Sequence, residues 1–511
     1  MSRIERVLIS VTDKTGIIDF ARQLNALGAE LISTGGTARM IGESGVPVTE
    51  VAEVTGFPEM LDGRVKTLHP RIAGGILAIR ERPAHMSALA EQEIQPIDMV
   101  VVNLYRFEEV AAKSGAPLEQ LIENIDIGGP TLIRAAAKNY QDVAVVVSPE
   151  DYMPLLEELR ENGCALSPET KWRLAKKAFH ITAAYDSAIA ARLDRVDSAE
   201  SLPLELHLHA PKLMDLRYGE NPHQSAALYG RRGVGIAGAE QLQGKELSYN
   251  NLVDLDAAWQ LVSEFSGPAA VIMKHTNPCG AAEQDSLANA YSKAFECDPL
   301  SAFGGVLGFN RILDEDTAKQ VAETFIEAIA APGYSPEALR VFVGANRKSL
   351  RLLRVPPASD ALVVKSISGG FLAQTPDEGN LDRNTASVKS RRAPTDEEWH
   401  AMEFAWKVAK HVKSNAIVYA RPGQTVGIGA GQMSRVDSVK VGAMKAILPL
   451  HDTVVASDAF FPFPDGVEEA VKSGATAFIQ PGGSVGDAKV IEAADRLGAA
   501  MVFTGMRHFR H

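Results

Sequence analysis

Ala269-Ala270-Val271-Ile272-Met273-Lys274-His275-Thr276-Asn277-Pro278-Cys279-Gly280 joins an unbroken apolar run to a polar, turn-forming segment. Gly267-Pro268 bounds the run on its N-terminal side, and a stretch this short suits a strand buried on both faces better than a helix. Lys274 and His275 stand at its exit. There an amine able to stabilise developing negative charge adjoins an imidazole able to move a proton near neutral pH. Pro278 and Gly280 predict a turn that sets the pair on a fixed bend at a sheet edge.

On either side the same pattern recurs, apolar runs ending in polar, glycine-rich segments. Arg217-Tyr218-Gly219-Glu220-Asn221-Pro222-His223-Gln224 gathers a cation, an aromatic ring and an imidazole in one loop, a set that suits an aromatic phosphorylated ligand. Asp298 to Gly305 is another polar turn before an apolar run, Lys413-Ser414-Asn415 leads into a strand, and Thr425 to Gln432 leads out of the next. Ser457 to Phe463 puts Phe460, Phe461 and Phe463 on one loop. No clear internal repeat is visible.

Towards the N-terminus, Val7 to Val11 predicts a strand, and Ile17, Ala21 and Leu24 recur at helical spacing with Gly28 placed to end the helix. Leu31-Ile32 runs into Ser33-Thr34-Gly35-Gly36-Thr37, whose small residues at a helix N-terminus form a phosphate cradle. Arg64 and Lys66 alternate on an extended segment, which would turn two cations toward one anion. Met99 to Val102 and Val143 to Val147 predict further strands, and Asp126 to Thr131 caps a helix running to Lys138. Strands alternating with helices imply a parallel α/β sheet whose ligands bind beyond the strand C-termini, where Ser10, Thr34, Lys66 and Tyr105 fall. In the helical stretch from Glu150 to Arg195, Trp172, Ala175, Phe179 and Ala183 form one stripe expected in the core. A domain boundary is expected near residue 200, giving domains 1–200 and 201–511, and Leu204 to His209 is read as a strand entering the second.

With 511 residues, the chain is too long for one core of typical size. Its net charge of -12 argues against nucleic acid or an anionic membrane as partner, without excluding a local basic pocket. The 3 cysteines are widely separated, with neither a zinc-type pair nor a disulfide framework. The start of the sequence carries no long apolar core, and no later run reaches the ~18 apolar residues of a membrane span, so a cytoplasmic location is expected.

Residues 33 to 37, 63 to 70, 125 to 138, 217 to 224, 274 to 280, 298 to 305, 457 to 463 and the terminal Arg507-His508-Phe509, taken in this order, resemble the bifunctional purine-biosynthesis enzymes that join AICAR transformylase to IMP cyclohydrolase. The resemblance covers almost the whole chain. One departure is Arg106, where the family usually has Pro after the Asn-Leu-Tyr triplet. The resemblance implies a methylglyoxal-synthase-like doubly wound first domain, followed by two cytidine-deaminase-like α/β units. It also implies a homodimer with composite transformylase sites, 10-formyltetrahydrofolate as formyl donor, and no metal in the chemistry.

For ring closure of formyl-AICAR to IMP, the resemblance implies Lys66 as oxyanion stabiliser and Tyr105, Asp126 and Lys138 as a proton relay. Ser10, Lys14, Thr34, Gly36, Thr37, Arg64 and Thr67 then hold the nucleotide. For formyl transfer it implies His275 as proton acceptor, directly or through the carboxamide, and Lys274 as charge stabiliser or proton donor to the leaving nitrogen. Asn415 bonds the oxyanion; Arg217, Tyr218, His223, Ser301, Phe303, Gly304 and Arg507 bind AICAR. Folate meets Phe460 or Phe461, with Asp465 or nearby amides orienting its polar edges.

Two other readings compete. Pro278-Cys279 resembles the start of the Pro-Cys-x-x-Cys half of a zinc-deaminase signature, but position 282, where the second Cys would stand, is Ala and no His-x-Glu segment accompanies it. A zinc-free deaminase-fold nucleotide-binding protein with an allosteric methylglyoxal-synthase-like sensor domain would need no catalytic set, whereas Lys66, Tyr105, Asp126 and Lys138 are all present.

Overall fold

The computed structural model describes residues 2–111, 113, 115–197, 202–358 and 362–511. The chain forms two compact units, Met1–His209 and Ala210–His511. The boundary expected near residue 200 falls on residues 198–201, outside the described residues.

The first unit holds β1 (Arg6–Ser10), β2 (Glu30–Ser33), β3 (Thr49–Glu50), β4 (Met99–Val102) and β5 (Ala144–Val146). They pair in parallel in the order β3-β2-β1-β4-β5. Successive residues of a strand face opposite sides, and Val7, Leu8 and Ile9 are all buried, so both faces of the sheet are covered. Strand order reverses at β1, which lies between β2 and β4; the C-terminal ends there open the crevice in which such sheets bind ligands. The helix Ile17–Ala26 buries Ile17, Phe20, Ala21 and Leu24, and Gly28 follows it at φ 91°.

Two expectations fail here. In the helix Pro168–Asp197 the buried face carries Leu174, Ala175 and Ala178, while Trp172 and Phe179 are exposed. Small residues let that face pack closely, and the aromatic rings lie outside it, Trp172 against Tyr140 at 4.9 Å and Phe179 beneath Arg134 at 5.8 Å. Leu204 to His209 forms no strand; the second unit's first strand is β6 (Lys212–Leu216), paired with β7 (Ala226–Tyr229).

The second unit continues with β8 (Glu240–Gln243), β9 (Ala269–Lys274), β10 (Asn277–Glu283), β11 (Gly305–Phe309), β12 (Ile326–Ala331) and β13 (Arg351–Arg354). A separate hairpin, β14 (Val363–Ile367) and β15 (Gly370–Gln374), precedes β16 (Ser387–Val388). The chain then forms β17 (Ile417–Arg421), β18 (Gln424–Gly429), β19 (Thr453–Ser457), β20 (Ala475–Gln480) and β21 (Ala500–Phe503). One 12-stranded mixed sheet runs β16-β21-β20-β19-β17-β18-β10-β9-β11-β12-β13-β8.

An internal repeat that no residue identity announces is plain in this order. The helix Tyr249–Val262 and β9 to β13 follow the same plan as the helix Asp396–Ala409 and β17 to β21. In each, an antiparallel hairpin is followed by a helix, a strand antiparallel to the hairpin's first strand, and two more strands parallel to that one, each after a helix. The repeats meet at β10 and β18. Ala269, Val271 and Met273 of β9 join one core with Val418 and Ala420 of β17, and Ala270 and Ile272 face a second core on the other side. Burial on both faces explains the unbroken apolar run.

Candidate functional site

At the switch point of the first unit lies a cavity of about 650 Å³. Its lining includes Ser10, Lys14, Thr34, Gly36, Thr37, Arg64, Lys66, Thr67, Tyr105 and Asp126. Ser10 Oγ at the end of β1 bonds Thr34 Oγ1 at 3.2 Å, and Lys14 Nζ donates to Thr37 Oγ1 at 2.5 Å and to the Val11 carbonyl. Burial lowers the Lys14 pKa from the usual lysine value. The helices Gly35–Glu43 and Gly128–Lys138 both begin at the cavity, so two sets of free N–H groups and two dipoles favour an anion there. A β-carbon added to Gly35 would lie 3.5 Å from Lys66 Nζ, which sets the ammonium over the first of these N-termini.

Arg64 and Lys66 each meet a different carboxylate. Arg64 pairs with Glu123, and Lys66 Nζ lies 3.0 Å from Glu59, while both side chains line the cavity. Asp126 is half-buried, and burial raises its carboxyl above the usual aspartate range, against the opposing N–H groups of Gly129 (2.8 Å) and Tyr105. Gly129 is needed at this point, because a β-carbon would collide with the Asp126 carboxylate and Leu104. The turn bearing Asp126 is held from the long helix by Tyr185, whose hydroxyl accepts from Asp126 N at 2.8 Å and donates to Asn124 O at 3.2 Å.

Lys138 is a correction. It ends the helix whose first turn lines the cavity, and ten helical rises put its Cα about 15 Å from that of Gly128. Its side chain is exposed, outside the cavity lining.

In the second unit the strand predicted from the opening stretch is β9, but its bend is displaced. The turn is His275-Thr276, with Lys274 paired to Asn277, and Pro278 and Gly280 lie within β10, where a bulge accommodates them. The hairpin sits at the middle of the sheet. His275 and Thr276 have φ of 52° and 62°, the left-handed pair that a two-residue hairpin requires and that residues with a β-carbon adopt only under strain. Thr276 N is fixed by Asp254 Oδ1 at 2.7 Å, and Asn277 Oδ1 accepts from Lys413 N at 3.0 Å. That second bond joins the hairpin to the segment carrying Asn415.

A cleft of about 260 Å³ lies here, lined by Lys274, His275 and Ser301 together with Asp298, Lys445, Cys279 and Cys297. Lys274 Nζ donates to the Phe303 carbonyl at 2.7 Å. Burial pushes both thiols up to about 12, so they are neutral at physiological pH. Asn415 is held on every side: Nδ2 donates to Gln432 O at 2.8 Å, and Oδ1 accepts from Arg435 Nη2 at 2.7 Å. Arg435 also donates to Ser457 Oγ and Asp458 Oδ1 at 2.7 and 2.5 Å, forming a buried ion pair. Arg435 and Lys445 were missed in the sequence because they open and close one helix, Arg435–Lys445, with no local pattern marking either contact.

Other expected residues occupy separate surface segments of this unit. Arg217 stacks over Tyr218 at 5.6 Å in an exposed loop that also carries His223; Phe303 is exposed beside Gly304; Arg507 lies over Phe509 at 4.2 Å. Of the two folate candidates left open, Phe460 is 38% exposed and Phe461 0%. Phe461 is a core residue, edge-on to Phe478 at 6.0 Å with its N–H bonded to Gln480 Oε1, so it has no free ring face. Phe463 is exposed, and Asp465 stands in the first turn of a helix, bonded to Gly466 N. Among the described residues no group of three His, Cys, Asp or Glu is placed to hold a metal, and no helix is long and apolar enough to cross a membrane.

Comparison with known proteins gives two family matches, the AICARFT/IMPCHase bienzyme over residues 136–445 and the MGS-like domain over residues 16–131. A solved structure described as "Crystal structure of ForH" is 36% identical, covering 38% of this chain and 99% of its own, with a TM-score of 0.36.

Proposed function

Since the chain belongs to the AICARFT/IMPCHase bienzyme family, we propose that it carries out two consecutive steps of purine biosynthesis, formyl transfer to AICAR in the second unit and ring closure to IMP in the first. The observation that carries this reading is the cavity of the first unit. There a lysine ammonium over a helix N-terminus, a second helix N-terminus and a half-buried carboxyl meet at the switch point of a parallel sheet. Such a site suits a phosphorylated ligand undergoing charge development and proton transfer.

In ring closure the carboxamide nitrogen attacks the formyl carbon, giving a tetrahedral oxyanion that then loses water. Lys66 stabilises that oxyanion, Tyr105 and Asp126 move the protons, and Lys14, Thr34, Gly36, Thr37, Ser10, Arg64 and Thr67 bind the nucleotide. In formyl transfer the AICAR amine attacks the formyl group of 10-formyltetrahydrofolate while N10 departs. His275 takes the proton, directly or through the carboxamide, and Lys274 supplies charge stabilisation or protonates N10. Asn415 donates to the oxyanion; its amide oxygen is already occupied by Arg435, which supports a donor role. Arg217, Tyr218, His223, Ser301, Phe303, Gly304 and Arg507 bind AICAR, while Phe460, Phe463 and Asp465 receive the folate.

Those binding residues occupy several surface segments, which supports transformylase sites completed between two copies of the chain in the cytoplasm. The exposed Val363, Ile367, Phe371 and Leu372 of the β14–β15 hairpin offer apolar surface for such a partner. Incubation with AICAR and 10-formyltetrahydrofolate should yield IMP. Recovery of unchanged AICAR beside active folate would overturn the reading.

A further inference from the structure

Lys445 belongs to the second repeat and acts on the first. It ends the helix Arg435–Lys445, yet its ammonium lies 2.7 Å from Asp298 Oδ2 and donates to Ser301 Oγ at 3.0 Å. Asp298 also accepts from Ser301 N at 2.9 Å, capping the short helix Pro299–Ala302. The next residue, Phe303, gives its carbonyl to Lys274 Nζ. A continuous path therefore runs from Lys445 through Asp298 and one turn to the Lys274 ammonium, and Lys274, Asp298 and Lys445 line the same cleft.

The turn cannot hold its own place. A helix of one turn has too few internal bonds to be stable alone, so its position depends on what clamps its ends. Here the ends are held by Asp298 at the N-terminus, by Gly304 N bonded to the Phe325 carbonyl at 2.8 Å just past the C-terminus, and by Lys445 across the repeat boundary. Burial disfavours charge on Asp298, but the Lys445 ammonium and the Ser301 bonds hold its carboxyl below the usual range, so the carboxylate is ionised at neutral pH.

We propose that Lys445 is a positioning residue for formyl transfer, fixing through Asp298 and Ser301 the turn that sets the Lys274 ammonium. The inference rests on the reading of the second unit as the transformylase. Without Lys445 the turn keeps its cap, the buried Ala302 and the Gly304 N bond to the Phe325 carbonyl but loses its tie to the second repeat, and the Phe303 carbonyl shifts relative to Lys274. A displacement of about 1 Å among reacting groups costs roughly 10²-fold in rate.

The test uses the full chain. Lys445→Met should lower kcat for formyl transfer roughly 10²-fold while ring closure of supplied formyl-AICAR is unchanged. Lys445→Arg, which keeps a cation for Asp298, should recover most of the rate. The double variant Asp298→Asn/Lys445→Met should lose no more than the worse single one, since both act through one path. A substrate-free readout separates this inference from the functional reading: the pH-dependent acylation rate of Lys274, followed by mass spectrometry. It should change in Lys445→Met and stay the same in Lys319→Met, whose exposed pair with Glu315 lies on another helix. Unchanged Lys274 labelling, or additive losses in the double variant, overturns the proposal. Altered labelling in a chain whose wild type transfers no formyl group would remove the functional reading and leave the coupling standing.

Discussion

Phe460 and Phe461 are neighbours with opposite fates, and the difference is decided by burial rather than residue type. Phe460→Ala should raise KM for the folate far more than for AICAR; Phe461→Ala should instead destabilise the second unit by about 3–5 kcal/mol, the usual cost of removing a buried phenyl ring. Equal shifts of both KM values in Phe460→Ala would take that residue out of the folate site. Near Asn415, Glu264 sits 2.8 Å from Lys410 and 3.0 Å from His411, which receives a bond from Arg510 on its other nitrogen. Burial works to raise the Glu264 carboxyl, but the His411 and Lys410 bonds outweigh it and hold the pKa at about 2 against an ordinary 4.5. A depressed carboxyl pKa gives stability that is present above the unfolded value and lost as pH falls through the folded one. Glu264→Gln should therefore cost about 3 kcal/mol at neutral pH, with the gap to wild type closing between about pH 5 and pH 2. Urea titrations across that range would settle it, a gap independent of pH counting against the assignment.

The elements were legible where one physical cause dominates. Ala269 to Met273 reads as a strand because both faces are buried, and Gly28 reads as a helix end because its left-handed φ suits a residue without a β-carbon. The bend after β9 was misplaced because Pro278 and Gly280 are common turn residues, while the actual turn is imposed on His275 and Thr276 by pairing and by Asp254. Nothing in those two side chains advertises it. The repeat was invisible for a related reason: what recurs is the order of elements and the positions of small residues. Gly280 in β10 faces the carbonyl of Ala294, and Gly427 in β18 faces that of Gly442, so each strand lets its following helix approach closely. A β-carbon at either position meets backbone that cannot rotate away. Gly280→Ala and Gly427→Ala should each destabilise the second unit by about 1–3 kcal/mol, whereas Gly431→Ala, which has open space, should act only through its positive φ of 68°. Wild-type stability in Gly280→Ala would mean that the helix Leu287–Cys297 packs less closely than described.

At the scale of the whole molecule, the α/β class and most of the residues lining the first cavity were legible in the sequence. Strand ends collect ligands in a parallel sheet, and polar residues after apolar runs mark those ends. The second cleft was only half legible, since Lys274 and Lys445 come to it from two repeats through bonds between segments far apart in the chain. Lys66 and Lys274 fall in different compact units, so their chemistry should be separable. Lys66→Ala should lower kcat for ring closure by roughly 10²- to 10³-fold, the usual loss for one electrostatic stabiliser, and leave formyl transfer intact. Lys274→Ala or His275→Ala should nearly abolish formyl transfer, to which a positioned proton-transfer group contributes about 10²- to 10⁴-fold, and ring closure should survive when formyl-AICAR is supplied directly. Circular dichroism and the unfolding midpoint would establish that each variant is folded. Loss of both activities in a folded Lys274→Ala chain would mean that one site serves both reactions, and the assignment of ring closure to the first unit would then fail.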